Sequence, residues 1–284
     1  MKRLPEYLKR PIIDTDKTKT VRKILKTKCL NTVCDGARCP NKSECYSKNS
    51  ATFLIMGNVC TRNCKYCNIS PDRPEPLDLD EPRRVADAIK ELGLKYAVIT
   101  SVTRDDISDG GAEHFKNCID EIRKISDAKI EILTPDFKGD KKSLDIIIQS
   151  NPEVFNHNIE TTKNVFENAR PQGNYETSLF VLRYIKENSN IATKSGMMVG
   201  LGESISDIEE TLLDLKKSMV DIITIGQYIQ PSKKHLNVEK YYTLEEFEEL
   251  KNLAKKIGFE NYQIGPLVRS SYRAMQNWSQ IYQK

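Results

Sequence analysis

The chain has 284 residues, 38% of them hydrophobic and 30% charged, and carries a net charge of +4. It is long enough to bury a sizeable core, lies in the range of single α/β barrels and has ordinary globular composition. No apolar run approaches the ~20 residues a membrane helix needs, and no basic stretch is interleaved with stacking aromatics. Neither a membrane nor nucleic acid is therefore an expected partner.

The first twenty residues are basic but contain no apolar h-region, so they do not read as a secretory signal. Glu6, Asp14 and Asp16, with no serine among them, also argue against a mitochondrial transit peptide. The expected location is the cytoplasm. Residues 1–48 hold 13 Lys/Arg against 5 Asp/Glu, and the remainder holds 31 against 35. A basic segment on a mildly acidic body suggests an acidic partner, since summed charge steers association. A solvated lysine-rich surface is the other reading.

Seven of the eight cysteines lie between Cys29 and Cys67, and only Cys118 stands apart. A cytosolic chain keeps its thiols reduced, so such clustering points to metal ligation rather than disulfides. Cys118 shares a helical face with Phe115 and Ile122 and reads as a core thiol.

Past residue 50, short apolar runs alternate with helix-period segments. The expected strands are Thr52–Met56, Tyr96–Val102, Ile130–Leu133, Val154–Ile159, Met197–Leu201 and Asp221–Ile229. Helical spacing follows in Val85/Ile89/Leu92, with Asp80 as N-cap and Pro82 in the first turn. It recurs in Phe115/Ile119/Ile122, in Ile208/Leu212/Leu215/Met219, and in Leu244/Phe247/Leu250 with Ala254/Ile257, closed by Gly258. Six strands each followed by a helix imply parallel βα units with right-handed crossovers. The expected fold class is α/β, an incomplete (β/α)6 TIM-like barrel, with a doubly wound sheet as the alternative from pattern alone. Either topology puts functional residues at the C-terminal ends of the strands.

Two cysteine sets carry the chemistry. Cys60-x3-Cys64-x2-Cys67 directly follows the first strand. Three thiolates on a short loop can hold three irons of a [4Fe–4S] cube and leave the fourth open to an amine and a carboxylate, as S-adenosylmethionine (SAM) offers. Tyr66 can pack its ring beside the adenine. A zinc knuckle on Cys64 and Cys67 is the competing reading, although no further ligand pair follows at finger spacing. Cys34-x4-Cys39-x5-Cys45 is a second set, which alone fits zinc or an electron-transfer cluster.

The run from Val33 through Asn68, with its two triads, resembles the lipoyl synthase family of the radical SAM superfamily, and the likeness extends from about Arg22 to Arg273. The resemblance implies that Cys34, Cys39 and Cys45 bind an auxiliary [4Fe–4S] cluster. Its fourth ligand would be Ser271 of the Arg269-Ser270-Ser271-Tyr272 motif, a harder and poorer iron donor than a thiolate. Asp109-Gly110-Gly111-Ala112 occupies the place of the superfamily's glycine-rich segment near the SAM amine, and Gly196 to Glu203, with Gly200, resembles the segment beside the adenine. Asn158 and Glu160, at the end of the fourth strand, are SAM-site candidates. So are Arg170 and Lys194, expected at the same barrel end, where charge can meet the SAM carboxylate. His235 matches a family segment without an assigned role.

The resemblance divides the chain into residues 1–49 with the auxiliary triad, a barrel over 50–258, and a C-terminal extension over 259–284. It implies an enzyme that uses SAM and two [4Fe–4S] clusters to insert two sulfurs at C6 and C8 of an octanoyl chain on a carrier lysine, with no side chain acting as acid or base. The implied partners are an octanoylated lipoyl carrier domain or H protein, a low-potential electron donor and iron–sulfur assembly proteins. A radical SAM enzyme whose second cluster only transfers electrons, and a non-catalytic iron–sulfur or zinc protein, remain as alternatives.

Overall fold

The computed structural model describes residues 3–282; at Asn277 and from Gln280 onward only the backbone is described. The chain forms two compact units, one of Arg10–Arg62 with Asn68–Glu153, the other of Met1–Lys9, Asn63–Cys67 and Val154–Lys284.

The first unit begins with helix α1 (Asp16–Thr27), whose Thr15 and Thr18 form a reciprocal capping box. A short strand β1 (Asn31–Thr32) leads into α2 (Val33–Gly36) and α3 (Lys42–Ser47). Then come β2 (Thr52–Ile55), β3 (Val59–Cys60), β4 (Ser70–Pro71) and α4 (Glu81–Glu91). Strand β5 (Tyr96–Ser101), α5 (Ala112–Ile125), β6 (Lys129–Leu133) and α6 (Lys141–Ser150) complete the unit. β2, β5 and β6 pair in parallel in that order, β1 lies antiparallel on the outer edge of β2, and β3 pairs with β4. Phe53, Leu54, Ile55, Val98 and Ile99 on the strands, and Val85, Ile89, Phe115, Cys118 and Ile122 on the helices, are all buried. Apolar residues on both faces of a strand are what a parallel sheet covered by helices requires.

The second unit carries β7 (Val154–Asn156), α7 (Lys163–Ala169), α8 (Tyr175–Asn188), β8 (Ala192–Val199) and α9 (Ile205–Lys217). It continues through β9 (Ile222–Gln227), α10 (Leu244–Ile257), β10 (Asn261–Ile264) and α11 (Ala274–Tyr282). Strands β7, β8, β9 and β10 pair in parallel in that order. Capping boxes Ser204/Asp207 and Thr243/Glu246 start α9 and α10, and Gly258, at φ +97°, ends α10.

All six expected strands are present, but their limits differ where polar residues are buried. β8 starts at Ala192, five residues earlier than expected, because Thr193, Lys194 and Ser195 are fully buried without forming an apolar run. β7 ends at Asn156, and beyond it only a bridge from Glu160 to Met197 continues the pairing. Asp80 is the N-cap of α4, yet its side chain makes no capping bond. β10 is a further parallel strand, too polar and short to stand out in sequence. No helix among the described residues is long and apolar enough to cross a membrane.

Candidate functional site

In the first unit, the upstream cysteines sit on one folded-back segment. Cys34 is in α2 and Cys45 in α3, with Cys39 in the turn between. Backbone bonds from Cys39 N to Cys34 O (3.1 Å), Lys42 N to Cys39 O (3.2 Å) and Cys45 N to Asn41 O (2.9 Å) hold it. Burial pushes the Cys34 thiol up to about 12, and negative charge on Cys39 and Cys45 adds to the shift. Thiols held on one such segment suit a shared polynuclear site, since ligation would neutralise the repulsion between their thiolates. Among the described residues no three His, Cys, Asp or Glu side chains converge on a point for a single ion. A cube spreads its thiolates over separate irons and asks for no such convergence.

Cys60 closes β3 in the same unit, and its Sγ accepts backbone N–H groups from Thr103 (3.3 Å) and Arg62 (3.4 Å). Gly111 is the N-cap of α5 at φ +90°, and a Cβ there would stand 2.3 Å from Met56 Sδ. Only glycine meets both conditions. Gly110 lines a cleft of about 420 Å³ with Thr103, Asp105, Ser108, Phe137 and Lys138.

In the second unit, the segment bearing Cys64 and Cys67 is tied down by Lys65 N to Ala169 O (2.9 Å) and Leu236 N to Lys65 O (3.0 Å). His235, without an assigned role in sequence, has Nε2 2.9 Å from Cys67 O and Nδ1 2.9 Å from Ser232 Oγ. A neutral ring with the proton on Nε2 satisfies both, donating to the carbonyl and accepting from the hydroxyl. Tyr66 packs against Val165, Ala169, Leu201, Tyr228 and Val238.

Tyr66, Asn158, Glu160 and Arg170 form one group. Burial raises the Glu160 carboxyl above its ordinary range, against the pull of Arg170 and hydrogen bonds from Asn158 and Tyr66. Burial likewise raises the Tyr66 phenol, with the charges of Glu160 and Cys64 adding to it. Glu160 holds φ +72°, rare for a side chain of its size, fixed by Glu160 N to Gly196 O and Met198 N to Glu160 O. Asn158 Nδ2 donates to Ser270 Oγ at 3.2 Å, while its Oδ1 is buried and takes no donor among the described residues. An open acceptor beside a carboxylate and a guanidinium fits a ligand with hydroxyl or ammonium donors and a carboxylate of its own.

The other candidates stand elsewhere in this unit. Glu203 turns back on its own loop, accepting from Gly200 N (2.6 Å), Leu201 N (2.9 Å) and the Tyr242 hydroxyl (3.0 Å). A Cβ on Gly200 would come within 2.2 Å of Gln227 Nε2, and the residue holds φ +103°. Lys194 is third in β8 and fully buried, in register with Asn156, rather than at the strand's C-terminal end. Ser271 lies in the turn before α11, beside Ser270.

Parallel βα units with three-cysteine loops on them define a radical SAM enzyme. The model of the radical SAM superfamily matches residues 54–215. Coproporphyrinogen III oxidase (HemN) from Escherichia coli, a radical SAM enzyme, has the same fold at a TM-score of 0.54 and 13% identity, over 72% of this chain and 52% of that one. The fold is thus the incomplete TIM-like (β/α)6 barrel of that superfamily. Lipoyl synthase of Caldanaerobacter subterraneus subsp. tengcongensis is 46% identical over 273 residues, covering 96% of each chain. Lipoyl synthase of Caldicellulosiruptor bescii is 50% identical over 272 residues, covering 95% of this chain and 94% of the relative. The chain belongs to the lipoyl synthase family. It is a radical SAM enzyme that inserts sulfur, and its cofactors are SAM and two [4Fe–4S] clusters.

Proposed function

We propose that this enzyme inserts sulfur at C6 and C8 of an octanoyl chain amide-linked to a lysine of a carrier protein. Cys60, Cys64 and Cys67 hold the cluster that engages SAM. Cys34, Cys39, Cys45 and Ser271 would hold the auxiliary cluster, which would supply the sulfur. The observation that carries the reading is the second cysteine trio, Cys34, Cys39 and Cys45, held on one hydrogen-bonded turn, a thiolate set that SAM cleavage alone does not need. When bound, the clusters and SAM supply one-electron cleavage chemistry and sulfide.

The side chains position and shield. Tyr66 offers its ring face from the core of the second unit. Asn158, Glu160 and Arg170 present an acceptor, a carboxylate and a guanidinium to the methionyl and ribosyl ends of SAM. Gly110, Gly111 and Gly200 let backbone approach the ligand, with Glu203 ordering the Gly200 loop, and Lys194 adds charge from β8. None of these serves as a general acid or base; binding, orientation and exclusion of water are the protein's part. The motifs divide the chain into residues 1–49, 50–258 and 259–284, and a cytoplasmic location suits a chain with seven cysteines clustered between Cys29 and Cys67.

The test is an anaerobic assay with SAM, a low-potential reductant and an octanoylated lysine peptide. Each C–H replaced by C–SH adds one sulfur with no net change in hydrogen, and ring closure then removes two hydrogens. A product with two added sulfurs is expected. SAM cleavage without sulfur gain would instead favour a second cluster used only for electron transfer.

An octanoylated lipoyl domain or H protein is the carrier, with a low-potential electron donor and iron–sulfur assembly proteins as further partners. The net positive charge of residues 1–48 gives an acidic carrier a docking surface. Raising salt from 0.05 to 0.5 M, concentrations chosen to shorten the screening length to a few ångströms, should weaken carrier binding about tenfold. Affinity indifferent to salt would remove this docking mode.

A further inference from the structure

The loop between Cys60 and Cys64 contains a charged residue for which the proposed chemistry has no use. The Arg62 side chain is only 4% exposed. A guanidinium in such a place is costly unless its donors are satisfied. Its Nε and Nη2 donate to Asp105 at 2.6 and 2.9 Å, and its Nη1 and Nη2 donate to Asp136 at 2.6 and 2.7 Å. Asp105 follows β5 and Asp136 follows β6, so one side chain fastens the cysteine loop to two strand ends. Asp136 is itself 2% exposed, and its Oδ1 also accepts from Lys138 N.

The main chain completes the frame. Thr61 donates to Thr103 O through both its backbone N–H (3.1 Å) and its hydroxyl (3.0 Å), and Asp105 N donates to Thr61 Oγ1 at 3.1 Å. Held in this way, the N–H groups of Arg62 and Thr103 both point at Cys60 Sγ.

We propose that Arg62 is a positioning residue whose fork between Asp105 and Asp136 fixes these two N–H donors on Cys60 Sγ and so raises the reduction potential of the cluster Cys60 ligates. The inference rests on the reading of Cys60 as a ligand. A hydrogen bond to a ligating sulfur stabilises the more negative, reduced cluster, and such bonds are among the levers that set cluster potential. Lysine cannot replace the fork, because an ammonium lacks the fixed planar spread of donors that meets two carboxylates at once.

The experiment uses the full chain, reconstituted without oxygen, as wild type, Arg62→Lys and Arg62→Gln. Iron per chain and reductive titration followed by electron paramagnetic resonance are measured, with the downstream cluster identified as the signal that changes when SAM is added. Both variants are expected to keep wild-type iron. At fixed solution potential the reduced fraction of the downstream cluster should fall about tenfold in Arg62→Gln, a shift of ~59 mV for one electron, and less in Arg62→Lys. The auxiliary cluster should titrate unchanged. Unaltered titration of the downstream cluster in both variants, even with lowered thermal stability, would reduce Arg62 to a packing role and overturn the proposal. Equal displacement of both clusters, or loss of the downstream iron from both variants, would overturn it as well. A wild-type chain that never acquires the downstream cluster would instead defeat the assignment of Cys60.

Discussion

Replacing Cys64 with alanine is expected to halve the iron of the reconstituted chain, from ~8 to ~4 per molecule, and to reduce SAM cleavage at least a hundredfold. Three thiolates on one loop hold three irons, and removing the middle ligand leaves two, too few to retain the cube against loss to solvent. The fold should survive. Cys64 is only half-buried, and its segment is held through the backbone of Lys65 and the carbonyl of Cys67. Substitutions of that kind usually cost less than about 0.5 kcal/mol, so the melting temperature of the iron-free chain should change little. Iron analysis and quantification of 5′-deoxyadenosine check both parts. Undiminished iron in Cys64→Ala would remove Cys64 from the ligand set.

The second large effect concerns Ser271. Converting it to cysteine should leave ~8 irons per chain and SAM cleavage within about threefold of wild type, while sulfur insertion falls more than tenfold. A hydroxyl oxygen is a hard, weak donor to a cluster iron, and a thiolate is a strong one. Strengthening that corner retains the iron whose departure would expose sulfide. The turn presenting Ser271 is ordered on both sides: Asn158 donates to Ser270, Tyr272 N donates to Arg269 O, and the Arg273 guanidinium stacks 5.0 Å over the Tyr272 ring. A cysteine at 271 therefore inherits the position of the serine. Mass spectrometry of the octanoyl peptide product decides the matter, and wild-type yields from Ser271→Cys would contradict sacrificial use of the auxiliary cluster.

The cysteine sets were legible because clustered cysteines leave a one-dimensional trace. Cys34, Cys39, Cys45, Cys60, Cys64 and Cys67 each lie within six residues of another cysteine of the six, so spacing alone exposes them. The strands of the first unit were legible for a related reason, since residues 53–56 and 97–99 are apolar runs buried on both faces, and Ile130 and Ile132 are buried on one. β8 was only half legible. Its buried Thr193, Lys194 and Ser195 look like a loop until partners such as Asp221, which accepts from Thr193 N at 2.8 Å, are brought up from elsewhere in the chain.

The sequence by itself determined the α/β class, the chain order of the βα units and the two cysteine clusters, because hydrophobic period and cysteine spacing are local properties; the Arg-Ser-Ser-Tyr motif stood out only through the family resemblance. Tertiary structure alone decided which polar groups meet. It joined Arg62 to Asp105 and Asp136, 43 and 74 residues away, set His235 against the carbonyl of Cys67 from 168 residues away, and turned Glu203 onto its own loop. A buried polar side chain must find a partner, but chain order does not restrict which one. That choice is made only when the strands align and bring distant segments within hydrogen-bonding reach.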